Sequence, residues 1–282
     1  MTEPDLPATD HAIDEALDAP IRGWDFSWLE GRAVETPPPW DLASLVQEAA
    51  SDADRLLDID TGGGEFLERV VPVRASVFAT EGYAPNVAVA EERLRRIGAR
   101  IVHAASAPDN VDQRGTNPSE SSSALPFSSG SFDLVLDRHS SYWPSEVVRV
   151  LRNGGRFLTQ QRGEAGREGA AWETLFDRPP HAHRRFDLGF AVGQLAEAGF
   201  RITRAEAADT PVVFRDLAAV VYYLRLVPWA VDGFDPIQDR DALVDIERCI
   251  RADGELRVCG SQLLIDAIVD ERPGRRVAQG DG

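Results

Sequence analysis

The fold of this chain is decided by residues 56–65, LLDIDTGGGE, and by residues 77–81, VFATE, about a dozen positions further on. An apolar run that ends in an acid, a glycine-rich turn that opens a helix and a second run that ends in an acid are typical of one half of a nucleotide-binding α/β sheet. Glycines let the backbone approach a ligand closely, and Glu81 can accept hydrogen bonds from both hydroxyls of a ribose. The pattern predicts a ribose-bearing cofactor.

The charge and spacing of the turn distinguish between cofactors. A dinucleotide fingerprint that starts at Gly62 needs its third glycine at position 67, where this chain has Leu67. Asp58, Asp60 and Glu65 would repel a doubly charged pyrophosphate across a short, low-dielectric distance. S-adenosylmethionine (SAM) has no phosphate and is positively charged at its sulfonium and amino groups. The acidic turn therefore favours SAM.

The same residues resemble the first motif of the class I SAM-dependent methyltransferases, which reads acid, apolar, Gly, x, Gly, x, Gly. In this chain the motif corresponds to residues 58–64, DIDTGGG. The resemblance covers about residues 50–162 and continues through Glu81, residues 125–127 (LPF), 131–136 (SFDLVL) and 151–158 (LRNGGRFL). It implies an α/β fold with a doubly wound, Rossmann-like seven-stranded sheet, a terminal antiparallel hairpin and helical lid elements.

Two positions depart from the family pattern. Asp60 stands in place of the first motif glycine, and aspartate tolerates unusual backbone angles better than most residues. Ser121 stands where the family often has an acid that meets the adenine amine. The resemblance implies that Glu81 binds the ribose and that the turn at Gly62 to Gly64 lies beneath the methionine moiety. The full set of predicted cofactor-binding residues is Asp58, Asp60, Thr61, Gly62, Gly63, Gly64, Glu81, Gly82, Tyr83, Asp137 and Arg138.

Polar residues follow the fourth predicted strand, at a place that in the family meets the transferred methyl group. His139 is a candidate general base, because imidazole titrates near neutral pH, or a residue that only holds the loop. Tyr142 either orients the acceptor or packs in the core, and Arg138 pairs with Asp137, binds a substrate carboxylate or lies on the surface. Methyl transfer is one in-line displacement, so positioning alone can provide most of the catalysis.

The sequence lacks the residues that several other methyl-transfer reactions require. The Asn/Asp-Pro-Pro-aromatic tetrad of amide and exocyclic-amine methyltransferases does not follow the fourth strand, and no cysteine lies where RNA cytosine enzymes need one. Gln160 and Gln161 either contact substrate or satisfy the strand edge. His181 and His183 lie in a polar segment that indicates a solvated surface, and no metal site is predicted.

Charge and composition bound the partners. The net charge is −17, with 30 basic residues, all arginine, against 47 acidic residues. That average surface repels phosphate backbones and makes a nucleic-acid partner unlikely, so a small-molecule substrate is expected. The absence of lysine fits a GC-rich genome or adaptation to high salt equally well. Cys249 and Cys259 are expected as two buried thiols, with a disulfide as the alternative.

Four regions are predicted along the chain. They are a mobile acidic tail or frayed helix at 1–22, an N-terminal lid or helical segment at 23–50, a SAM-binding core at 51–163 and a C-terminal part of the sheet with inserted lid helices at 164–282. Residues 23–40 and 217–229 are rich in aromatic and aliphatic side chains, which indicates either core packing or a lid over the substrate. No signal core or membrane-spanning run is visible, so a cytoplasmic, soluble protein without a membrane partner is expected; the oligomeric state stays open.

Periodicity predicts the individual elements. The predicted strands are 55–59, 75–80, 100–103, 132–137, 155–161 and 262–270, with an extended segment at 200–216; the predicted helices are 64–71, 85–97, 144–152, 187–198, 217–225 and 241–251. Residues 105–124 are predicted to form a long polar loop. The leading hypothesis is a SAM-dependent methyltransferase that acts on a small organic acceptor at oxygen or nitrogen. An rRNA base methyltransferase and a non-catalytic binding protein with the same fold are the alternatives.

Overall fold

A computed structural model describes residues 6–21, 24–71, 76–105, 107, 124–163, 168–179, 186–228 and 230–270. Ser121, His181 and His183 lie outside the described residues, as does most of the predicted loop at 105–124. None of the helices in the described part of the chain has the length and apolar character needed to cross a bilayer.

The main sheet has seven strands in the order β4-β3-β2-β5-β6-β10-β7. Its strands are β2 (Arg55–Ile59), β3 (Ser76–Glu81), β4 (Arg100–His103), β5 (Phe132–Arg138), β6 (Leu151–Arg162), β7 (Phe200–Asp209) and β10 (Ser261–Val269). Strands β2 to β6 pair in parallel, and β10 lies antiparallel between β6 and β7. This arrangement confirms the predicted doubly wound sheet with its terminal antiparallel hairpin.

The chain reverses its winding direction at β2, which pairs with β3 on one side and with β5 on the other. Leu56 and Leu57 of β2 are fully buried on opposite faces of the sheet, as expected of a central strand covered by helices. Ligands of open α/β sheets bind beyond the carboxyl ends of the strands at such a switch point. The glycine-rich turn after β2 and the acid that ends β3 therefore meet at the expected binding edge.

Helices cover both faces of this sheet and build a second layer beside it. They are α1 (Leu6–Asp18), α2 (Leu42–Ser51), α3 (Glu65–Val70), α4 (Ala84–Leu94), α5 (Pro144–Val150), α6 (Glu168–Leu175), α7 (Leu188–Ala198), α8 (Leu217–Leu226) and α9 (Arg240–Asp253). The predicted helices at 64–71, 85–97, 144–152, 187–198, 217–225 and 241–251 correspond to α3, α4, α5, α7, α8 and α9. Gly199 ends α7 in the left-handed conformation, as a C-terminal cap.

A second, three-stranded antiparallel sheet lies outside the main one, in the order β1-β8-β9. Its strands are β1 (Ala33–Glu35), β8 (Val212–Phe214) and β9 (Leu256–Val258). The predicted extended segment at 200–216 is thus divided between two sheets, because Thr210 and Pro211 separate β7 from β8. Helix α8 is buried along nearly its whole length in a hydrophobic cluster with this sheet, which favours core packing over an exposed lid for residues 217–226.

Helix α1 lies where the sequence predicts a mobile tail or a frayed helix. Thr9, Ile13 and Ala16 are buried, and Arg225 of α8 donates a hydrogen bond to the carbonyl of Ala16. The prediction of a mobile tail is therefore wrong for residues 6–18. The buried face was inconspicuous because it consists of one isoleucine and small residues, whose burial depends on α8 being present to cover them.

The two cysteines also differ from the prediction. Cys249 and Cys259 are both free thiols, so the disulfide alternative is wrong, and both are exposed instead of buried. Cys249 lies on the solvent-facing side of α9, whose buried positions are Leu243, Val244, Ile246 and Ile250. The helical period, not the apolar character of the thiol, decides its exposure.

Candidate active site

The glycine-rich turn joins β2 to α3. Gly62 has a φ of 63° and Gly64, the N-cap of α3, a φ of 81°, both in the left-handed region. A Cβ on Gly64 would lie 2.8 Å from Cγ of Leu94 on α4, so a side chain there would force two helices apart. These two positions require glycine for different reasons, one for conformation and one also for space.

Arg93 of α4 holds the outer side of this turn. Its guanidinium donates to the carbonyl of Gly63 at 2.5 Å and to the carboxylate of Glu65, and it lies 3.8 Å from a carboxylate oxygen of Glu68. The ion pair neutralises part of the acidity of the turn. Arg93 was not predicted from the sequence, since it is one of three arginines at 93–96 and nothing local distinguishes it.

Asp60 links three strand ends. Its φ is 56°, so it takes the left-handed conformation of the motif glycine that it replaces. Its carboxylate accepts hydrogen bonds from the backbone N–H of Gly82 at 2.9 Å and from the hydroxyl of Ser140 at 3.1 Å. Its own N–H donates to the hydroxyl of Thr80 at 3.1 Å. Asp60 therefore fastens the turn after β2 to the segments after β3 and β5.

Glu81 ends β3 and is only 2% exposed. Its Oε1 accepts a hydrogen bond from the backbone N–H of Tyr83 at 2.7 Å, while the Tyr83 side chain is itself exposed. Burial is the main cause that raises the pKa of Glu81 to about 7, and the charges of Asp60 and Asp58 add to it. The N–H groups of Tyr83 and Gly62 partly oppose the shift. The carboxylate predicted to bind a ribose is thus poised between its two protonation states near neutral pH.

Asp58 and Asp137 are two further buried carboxyl groups at the same edge. Burial raises the pKa of Asp58 to about 6, and the guanidinium of Arg138 is among the groups that oppose this shift. Burial also raises the pKa of Asp137 well above its usual value, although Gln161 donates a 2.5 Å hydrogen bond to its Oδ1. Oδ2 of Asp137 is buried without a hydrogen-bond partner among the residues that the structure describes. Four carboxyl groups thus converge on the switch point.

His139 adopts a φ of 63° directly after β5, and its N–H donates to the carbonyl of Gln160 at 2.9 Å. The side-chain amide of Gln160 lies 3.4 Å from His139 Nε2, while its Oε1 accepts from the indole of Trp40 at 2.8 Å. Because the indole can only donate, Gln160 presents its NH₂ group to the imidazole, which makes Nε2 an acceptor and places the proton on Nδ1.

His139 as a residue retains solvent-exposed surface, although protein atoms are dense around its imidazole. This loss of solvation, together with the positive charges of Arg138 and Arg162, lowers the pKa of His139 to about 3. The ring is therefore neutral at physiological pH and a weak base. Between the two interpretations of His139, this environment favours holding and positioning over proton abstraction.

The surroundings of Tyr142 and Arg138 distinguish between the roles that the sequence left open for them. The ring of Tyr142 is 4% exposed and packs edge-on against Phe157 at 5.0 Å, which favours core packing over orientation of an acceptor. The guanidinium of Arg138 lies 4.8 Å from the ring centre of Phe66 and near Asp58. Because side chains alternate along β5, Arg138 and Asp137 are on opposite faces of the sheet.

A small, mainly apolar cavity opens beside these carboxyl groups. Its walls come from the ends of β2 and β3, from the segment after β4 and from the start of α5, and include Ile59, Thr80, Ala105, Leu125 and Val147. The side chain of Glu146 at its wall is tied to Arg149, and accepts the N–H of Leu125 at 2.8 Å. The cavity therefore has apolar walls, and the charge of Glu146 at its wall is paired with Arg149.

A polar bridge connects the far side of the site to the second sheet. Arg162 of β6 pairs with Glu35 of β1 at 2.9 Å, and the amide of Gln262 on β10 donates to the same carboxylate at 2.8 Å. Neither these residues nor Trp40 were predicted as neighbours of the site, because distant segments meet here: Glu35 and Arg162 are 127 positions apart. Gln160 and Gln161, for which it left two roles open, bond to protein groups in this structure.

Comparison with known proteins gives agreement in structure alone. No protein-family model matches the sequence, and no curated protein matches it. A proposed methyltransferase from Bacillus halodurans superposes with a TM-score of 0.54 and 19% identity over 82% of this chain and 99% of that chain. The protein YcgJ from Bacillus subtilis superposes with a TM-score of 0.51 and 17% identity over 82% of this chain and 98% of that chain.

The chain shares the Rossmann-like fold of these two structures. Sheet order, the antiparallel β10 and the turn after β2 agree with that architecture. In a methyltransferase fold, the predicted cofactor residues after β2, β3 and β5 come from three separate strands and meet at one edge, where Asp60 joins them. At sequence identities below one fifth, structural similarity establishes the fold, and the reaction has to be argued from the site.

Proposed function

We propose that this protein is a SAM-dependent methyltransferase that acts on a small organic acceptor, at nitrogen or oxygen. The observation that carries the proposal is the convergence of Asp58, Asp60, Glu81 and Asp137 on the switch point of a methyltransferase fold. Their summed charge suits a cation and opposes a pyrophosphate. Bound SAM would supply an electrophilic methyl group on its positively charged sulfur.

The residues present fit SAM in three respects. Glu81 lies at the end of β3 with its carboxylate held by the N–H of Tyr83, in place to accept from two ribose hydroxyls. Ile59, Ala105 and Leu125 line a small cavity beside it, and such apolar side chains are the kind against which an adenine ring packs. The buried, unpartnered Oδ2 of Asp137 and the raised pKa values of Asp58 and Glu81 describe carboxyl groups that a cationic ligand would stabilise in their ionised form.

The contribution of the chain to methyl transfer is then chiefly positioning. Asp60 and Arg93 fix the turn, and the Trp40–Gln160 pair fixes His139 with Nδ1–H free to donate toward an acceptor. A neutral imidazole of low basicity is a poor proton acceptor. It therefore suits a methyl acceptor whose nitrogen or oxygen already presents a lone pair to the methyl group without first losing a proton. The net charge of −17 supports a small molecule over RNA as the acceptor.

Calorimetry tests the cofactor directly. The protein should bind SAM and S-adenosylhomocysteine and give no heat with NAD, and Glu81→Gln should weaken SAM binding while Glu92→Gln, an exposed change on α4, should not. Binding of NAD without SAM would refute the proposal. Radiolabelled SAM supplied with a cell extract should then label a small molecule. Label in RNA would support the RNA alternative, and binding without any labelled product would support a non-catalytic binding protein.

A further inference from the structure

The indole of Trp24 lies beside the glycine-rich turn. Its Cδ1 is 3.8 Å from the position that a Cβ on Gly62 would take, so the ring borders the space that glycine leaves open. Trp24 is nevertheless 49% exposed, which is unusual for so large an apolar side chain. It therefore lies beside the turn while much of its surface still faces solvent.

The segment that carries Trp24 packs on helix α8, which belongs to the hydrophobic cluster around the second sheet. Trp28 stacks on Tyr222 of α8 at 4.5 Å, and the hydroxyl of Tyr222 donates to the carbonyl of Pro20 at 3.0 Å. The carboxylate of Asp25 accepts the N–H of Ser27 at 2.9 Å and forms a local turn. These contacts hold Pro20 and Trp28, which lie on either side of Trp24 in the sequence, against α8.

The negative charge around the turn indicates which kind of ligand group the indole of Trp24 would contact. The turn is surrounded by Asp58, Asp60 and Glu81, which attract cations, and an indole face attracts cations more strongly than any other side-chain ring. Resting on the proposed function, we infer that Trp24 covers the methionine end of SAM and discriminates the charged sulfonium of the cofactor from the neutral thioether of S-adenosylhomocysteine. This contact would hold the substrate cofactor more tightly than the spent one and so favour product release.

Binding of both ligands to three variants tests this role. Trp24→Leu keeps an apolar cover but removes the aromatic face, so SAM affinity should fall about 3- to 20-fold while S-adenosylhomocysteine affinity changes less than about 2-fold. Trp24→Phe should recover part of the preference. Phe26→Leu is the matched control, because Phe26 is 41% exposed on the same segment and should leave both affinities within about 2-fold.

The outcomes separate this inference from the proposed function. If the unmodified protein binds neither ligand, the proposed function fails and the inference fails with it. If it binds SAM and Trp24→Leu binds both ligands as tightly as before, only the inference is overturned. An equal loss for both ligands also overturns it, since the ring would then act by shape and not by charge. Thermal unfolding of each variant without ligand shows whether the fold is intact.

Discussion

Replacing Glu81 with glutamine should stabilise the protein without cofactor at pH 8 and weaken its binding of SAM. The native carboxyl group is 2% exposed, and its pKa is raised from 4.5 to about 7. An acid with a raised pKa favours the folded state when protonated, so its contribution is fully present below pH 4.5 and is lost as the pH rises through 7. Glutamine has no charge to lose.

The magnitude follows from the size of that shift. A pKa of 4.5 in the unfolded chain and of about 7 in the folded protein lowers the free energy of unfolding by about 3 kcal/mol at pH 8 and by about 1 kcal/mol at pH 5. In the glutamine variant, one of the N–H donors of Tyr83 and Gly62 loses its oxygen acceptor, which costs about 1 kcal/mol. The free energy of unfolding of Glu81→Gln should therefore exceed that of the native protein by about 2 kcal/mol at pH 8 and equal it at pH 5.

Urea unfolding at the two pH values, followed by calorimetry with SAM, measures both effects. SAM affinity should fall by about 10- to 100-fold at pH 8, because hydrogen bonds to a charged acceptor are lost. Glu92→Gln should show neither effect, since its side chain is exposed on α4. A glutamine variant that is less stable than the native protein at pH 8, or that shows the same dependence on pH, would refute the argument that Glu81 is a strained, buried charge.

Three further predictions concern other residues. Asp60→Gly should be more stable than Asp60→Ala by about 1 kcal/mol, because both lose the hydrogen bonds to Gly82 and Ser140 but only alanine is strained at a φ of 56°; equal unfolding free energies would contradict the left-handed geometry. The imidazole of His139, with its pKa lowered to about 3, should show no NMR titration step between about pH 5 and 8, and a step near its ordinary value would disprove the desolvation. Cys249 and Cys259 are exposed, so a thiol reagent should label both in the native protein, and labelling only after denaturation would contradict their exposure.

The elements of the main sheet were predictable because their signals are local. Strand β2, its glycine-rich turn and helix α3 occupy adjacent residues, and each has a backbone or burial requirement visible in its own sequence. The residues after β2 and β3 could be placed at one edge of the sheet for the same reason. The left-handed conformation of Asp60 was consistent with the sequence, but the hydrogen bonds of its carboxylate to Gly82 and Ser140 were not visible there.

The sequence by itself determined the α/β class, the succession of strands and helices along residues 55–161 and the acidic character of the turn, because neighbouring residues encode them through period, glycine placement and charge. Only the tertiary structure decided that α1 is packed, that β8 leaves the main sheet, and that Trp24 lies beside Gly62. It also decided the tautomer of His139, through a Trp40–Gln160 hydrogen bond between residues 120 positions apart. Such contacts depend on how distant segments pack and on the solvent that packing excludes, and no short stretch of sequence contains either.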